Sequence, residues 1–240
     1  MTFYLTPFIF IFLSILYFYI PFGYLDYYKT LLTISTFLFS IFTGFFISRQ
    51  GSRYSDIRDR ITEFDGIMSS LYRQTRHLGK EAQEKIKKII EKHYKQILKN
   101  QAWDYNFTHK STTLTDVHNL LEKTVGEKKL PSLGHAAINR IMAGLLILQQ
   151  IRKSMIALHK ERIPQFQWIL LYFLAAVLFL SLSMMPTQGL VYASLLKGAF
   201  ASSIIFVFVL LKKFDRLDFF EKTIGEESAQ DILDIFSGKK

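Results

Sequence analysis

The chain contains no cysteine. That excludes disulfides and thiolate nucleophiles, and it leaves only histidine and carboxylates for any metal site. Proline is scarce, five in 240 residues, and none lies between Lys29 and Arg60 to interrupt a helix there. No low-complexity segment or internal repeat stands out. Catalytic and phosphate-binding signatures are missing as well: GxxxxGK[ST], GxGxxG, GxSxG, HExxH and the kinase set do not occur. Six histidines (His77, His93, His109, His118, His135, His159) are scattered without a convergent ligand spacing. Glu226, Glu227, Asp231 and Asp234 lack the alternation and central glycine of a calcium loop, and read instead as the solvated side of a helix backed by Ile232, Leu233 and Phe236. No catalytic residue, metal site or cofactor is expected, and the protein is not read as an enzyme.

Long uncharged runs are what the sequence has instead. Half the residues are hydrophobic, with 23 Phe and 12 Tyr. Thr30–Ile47 is 18 residues without a formal charge, about 27 Å as a helix and so close to the hydrocarbon thickness of a bilayer. Phe3–Ile20 and Gln167–Met185 are similar, and Leu190–Leu211 carries a single charge, Lys197. The first has no basic residue before it and no small-x-small site after it, so it reads as a retained helix rather than a signal peptide. Short connections, Pro21–Lys29 and Pro186–Gly189, join the spans in pairs.

Charge places these spans. The net charge of +10 lies wholly in Ser48–Gln165, which holds 22 Lys and Arg against 12 Asp and Glu; another 6 basic residues lie in the tail. An excess of Lys and Arg between apolar spans marks the cytoplasmic side and attracts anionic lipid headgroups, so the charge needs no nucleic acid. The Asn106-Phe107-Thr108 sequon would then be cytoplasmic and unglycosylated. The middle segment has apolar residues at helical spacing: Ile57, Ile61, Phe64, Met68, Leu71 and Leu78, then Ile86, Ile90, His93 and Ile97 in a helix from Lys80. A short helix is expected over Leu114–Val125, and a last one over Ser132–Ile163 after a Lys128–Pro131 link. The expectation is an all-α integral membrane protein of four transmembrane helices extended by a cytoplasmic helical bundle. Its segments are 1–47 (helices 1 and 2), 48–165 (cytoplasmic), 166–211 (helices 3 and 4) and 212–240 (tail), with both termini cytoplasmic in a bacterial inner membrane.

The second span carries the functional reading. On a helical wheel one face has Leu31, Ser35, Leu38, Phe42, Phe46, Arg49, Arg53 and Arg60, while the opposite one has Thr33, Ser40, Gly44 and Gly51 beside Thr36 and Ile47. The small residues suit close helix packing in lipid. The aromatic-to-arginine face fits two uses: lining a pore with an apolar constriction above a basic mouth, or facing lipid with snorkelling ends. Lys197, within the fourth span, is either a snorkelling lysine or part of an electropositive outer vestibule. Ser194, Gly198 and Ser202 form a second small-residue packing stripe.

Three stretches resemble the bestrophin-like group of membrane proteins, relatives of the bestrophin anion channels. They are Gly44–Leu78 with its aromatic, small and Arg-rich exit from the membrane, Ile151–Trp168 (IRKSMIALHKERIPQFQW), and Leu210–Phe220 (LLKKFDRLDFF). Phe219 and Glu221 stand where the family's proline and glycine would be, and the acidic calcium clasp of animal bestrophins is not evident in Glu221–Asp234. The resemblance implies four transmembrane helices per subunit and a pentamer whose second helices line an apolar neck. Leu38, Phe42 and Phe46 would be neck residues, with Arg49 and Arg53 below. An oligomeric anion channel is the first expectation. A non-conducting membrane scaffold or sensor whose cytoplasmic bundle binds a partner is the alternative. The partners expected are the bilayer, further copies of the chain and inorganic anions.

Overall fold

The computed structural model describes residues 5–19, 27–127, 131–185, 191–218, 224–237 and 239, and every regular element among them is helical. The helices are α1 Leu5–Tyr19, α2 Tyr28–Gln74, α3 Lys80–Asn100, α4 Tyr105–Thr108, α5 Thr113–Glu127, α6 Ser132–Lys160, α7 Gln165–Ser183, α8 Val191–Arg216 and α9 Ile224–Ser237. Three helical stretches, Tyr28–Leu78, Ser132–Ser183 and Val191–Arg216, are long and apolar enough to cross a membrane, and Phe8–Tyr19 is a shorter apolar helix. The connections over 20–26 and 186–189, the 128–130 part of the link before Pro131, and Phe219 and Glu221 lie outside the described residues.

α2 runs 47 residues, about 70 Å at 1.5 Å per residue, because no proline interrupts it. It tightens into a 3-10 turn at Thr75–Leu78 and stops at Gly79, whose φ of 97° is a conformation glycine alone adopts without strain. α6 ends at Lys160 rather than continuing to Ile163. Pro164 bars the preceding residue from helical geometry, so 161–164 is extended and α7 starts afresh at Gln165.

The chain forms two compact units, one of residues 1–52 and 162–216, the other of 53–161 and 217–240. In the first, Phe39 and Phe46 of α2 pack with Ile163, Leu171, Leu174, Leu178, Ile204 and Leu211. α1 lies along α8 so closely that a Cβ on Gly198 would collide with the Ser14 hydroxyl and come 3.0 Å from its Cα. The outside of this unit is apolar: Phe12 and Ile15, Phe37 and Ile41, Phe166 and Phe173, Tyr192 and Leu196 are all exposed.

The second unit is built as a water-soluble bundle would be. Ile57, Met68, Ile86, Ile90, Val117, Leu121, Ile141, Leu148 and Met155 form its interior, and its exposed positions are mostly charged or polar. α9 packs on α3, and the Phe236 ring sits 4.2 Å from that of Tyr72.

Candidate functional site

Within the first unit, α2 has a packed side and an open side. Tyr28, Ser35, Phe39, Thr43, Phe46 and Gln50 are buried, an i, i+3/i+4, i+7 series facing α7 and α8 residues of the core. Ile34, Phe37, Leu38, Ile41 and Phe45 are exposed, and Ser48 and Arg49 continue that side. The face drawn from the sequence straddles the border between the two. Its centre is rotated by about 80° from the middle of those seven exposed residues, at 100° per residue. Leu38 and Arg49 are open and Phe42 is half-buried, but Phe46 is 3% exposed and packed in the core. Phe46 backs the open side instead: its ring lies 5.5 Å from Phe45 and 6.5 Å from Phe42.

Ile34, Phe37, Ile41 and Phe45 are the apolar members of the open side that the sequence reading passed over. Nothing in the one-dimensional pattern separates them from Phe39 or Phe46, because both sides of this helix are apolar. The small residues Thr33, Ser40 and Gly44 are exposed, and a Cβ on Gly44 would meet nothing within 4 Å. The other small stripe is enclosed: Ser194 and Ser202 are buried on α8, one turn either side of the Gly198 approach to α1.

Arg53 belongs to the second unit and is 3% exposed. Its Nε donates to the Leu158 carbonyl at 2.7 Å and its Nη2 to that of His159 at 3.0 Å. Those carbonyls close the last turn of α6, where the helix dipole is negative and amide donors are lacking, so a guanidinium is well matched to them. His159 in turn reaches Asp104 at 3.0 Å. Lys197, in the first unit, is 4% exposed. Its ammonium donates to the Met185 carbonyl just beyond α7 and stands 5.6 Å above the Tyr17 ring.

Two of the stretches that carried the family resemblance meet at Asp215. Its carboxylate accepts from the Ile163 backbone N–H at 2.7 Å, and its carbonyl accepts from Arg162. The entry of α7 is thereby fixed to the end of α8 in the first unit. The non-helical backbone before α7 leaves the Ile163 amide without an intrahelical acceptor, which is why a carboxylate is needed there.

The second unit also holds a buried polar knot. The Tyr94 hydroxyl donates to Asp65 at 2.6 Å, and Ser228 of α9 donates to the same carboxylate. Burial, then the Asp65 charge, push the Tyr94 phenol well above its ordinary range. His93 stacks on Phe64, contacts the Thr113 hydroxyl at 3.2 Å, and is held neutral. Burial, with a smaller push from Arg152, lowers its pKa from 6.5 to about 3. The cavity beside these groups is about 20 Å³, room for one water and no ligand.

An apolar exterior around helices of bilayer length, joined to a charged helical bundle, defines a membrane protein. The chain belongs to the bestrophin-like family: residues 26–217 match the Bestrophin-like domain. No curated protein and no solved structure matches it.

Proposed function

We propose that this protein is an oligomeric, anion-permeable channel whose conduction path is lined by the open side of α2. The observation that carries the reading is that side itself. Leu38, Ile41 and Phe45 are left uncovered by their own unit and lead within about one turn to Arg49, while Phe39, Thr43, Phe46 and Gln50 on the other side are buried. A ring of such helices forms an apolar constriction that gates by dewetting, above arginines that raise the local anion concentration. Phe42 borders the constriction and Phe46 supports it from behind. In this reading α1, α2, α7 and α8 all span the bilayer, the second unit and both termini are cytoplasmic, and the ring is a pentamer as in the family. Lys197 stiffens the outer end of the subunit by closing α7.

The test is anion flux in proteoliposomes of known oligomeric state. Ile41→Ala and Phe45→Ala should each raise flux several-fold, and Arg49→Gln should lower it. If the purified oligomer conducts nothing in any of these forms, the channel reading falls. The second reading, a non-conducting scaffold, draws on the strongly charged relief of the second unit. It expects a stable assembly, no flux and indifference to the Phe45 change.

A further inference from the structure

We infer that copies of this chain join head to tail through their second units, an acidic groove on α2 and α6 of one copy receiving a lysine ridge on α3 of the next. The inference rests on the oligomeric part of the reading above. Asp56, Asp59 and Glu63 recur at three- and four-residue steps on one side of α2, and with Ser154 and Leu158 of α6 they line an open groove of about 400 Å³. Arg60 also lines it, but its guanidinium is engaged by Glu63 at 2.6 Å. Asp56 and Asp59 are exposed and pair with no basic side chain among the described residues.

The ridge has the matching repeat. Lys88, Lys92, Lys95 and Lys99 stand at four-, three- and four-residue steps along α3, all exposed. Glu91 takes up Lys95 at 2.9 Å and Lys87 at 3.9 Å. Lys88, Lys92 and Lys99 have no carboxylate among the described residues. Asp56 to Glu63 and Lys88 to Lys95 each cover seven positions, about 10.5 Å of helix, so the rows can be set in register.

Groove and ridge lie on different helices, and each copy presents one of each. A contact between two unlike surfaces is heterologous, and repetition of it makes a ring where the rotation from copy to copy closes and an open filament where it does not; the ring proposed above is the closed case. Exposed ion pairs add little strength, so the role of these rows is to choose the neighbour and fix its register. The occupant is a second copy because both halves of the complementary pair are written in the same chain.

The absence of native cysteine makes the experiment clean. Full-length Asp59→Cys and Lys92→Cys proteins are co-assembled in nanodiscs and treated with a short bis-maleimide. The mixture should give a cross-linked dimer that neither variant gives alone. The double variant should give a ladder beyond the dimer, ending at the size of the assembly. The yield should fall several-fold from 0.1 to 1 M salt, as the screening length contracts from about 10 to about 3 Å. An intact oligomer without the mixed cross-link overturns the inference. So does an Asp59→Cys homodimer, which would place the groove at the symmetry axis, or a double variant that stops at the dimer. Native mass separates the two levels: a monomer sinks the oligomeric reading itself, whereas an uncross-linked oligomer sinks only this contact.

Discussion

At the scale of single residues, the fold turns on side chains whose neighbours are already in place. Gly198 is one, since α1 occupies the space its side chain would need. Gly198→Ala should destabilise the detergent-solubilised protein by about 1–3 kcal/mol, because the obstruction includes the Ser14 backbone, which cannot swing aside. Gly66→Ala is the control: nothing lies within 4 Å of its Cβ on exposed helix, and the change should stabilise by about 0.5–1 kcal/mol, read as a rise in thermal midpoint. His93 is another such residue. Its folded pKa, about 3, lies below the ordinary 6.5, so the unfolded chain binds the extra proton. Its contribution is full above pH 6.5 and is lost as pH falls from there toward 3, up to about 5 kcal/mol in all. His93→Phe should flatten the stability profile over that interval, measured by denaturant titration at each pH.

At the scale of elements, helix ends are where this chain spends its cations. Arg53 closes α6, Lys197 closes α7, and Arg162 with Asp215 ties the start of α7 to the end of α8. Arg53→Lys should cost about 2–3 kcal/mol, since one ammonium cannot span the carbonyls of Leu158 and His159 as the guanidinium fork does. Hydrogen exchange should quicken at Ala157–Lys160 and Glu161 and stay unchanged in α5. These roles were not legible beforehand. An arginine on an amphipathic helix reads as exposed charge until a second helix, more than 100 positions later, brings its last carbonyls alongside. The turn from α2 to α3 was legible, because Gly79 declares a break without reference to anything distant.

The whole molecule combines an apolar-surfaced unit with a charge-surfaced one. That contrast is compositional, and it leads to a topological test. In the cysteine-free background, Tyr27→Cys and Lys99→Cys, both at exposed positions, should react with an impermeant maleimide from opposite sides of the membrane. Lys99→Cys should label from the cytoplasmic side. Labelling of both from one side would refute the four-span arrangement.

Hydrophobic runs, their lengths and the siting of Lys and Arg determined by themselves that this is a helical membrane protein, because bilayer thickness and charge asymmetry act on local sequence. The family was legible for the same reason, since its marks lie in contiguous stretches. Which side of α2 is open was decided only by tertiary structure. Both sides are rich in phenylalanine, and the packing of α7 and α8 residues against Phe39 and Phe46 is what leaves Leu38, Ile41 and Phe45 outside.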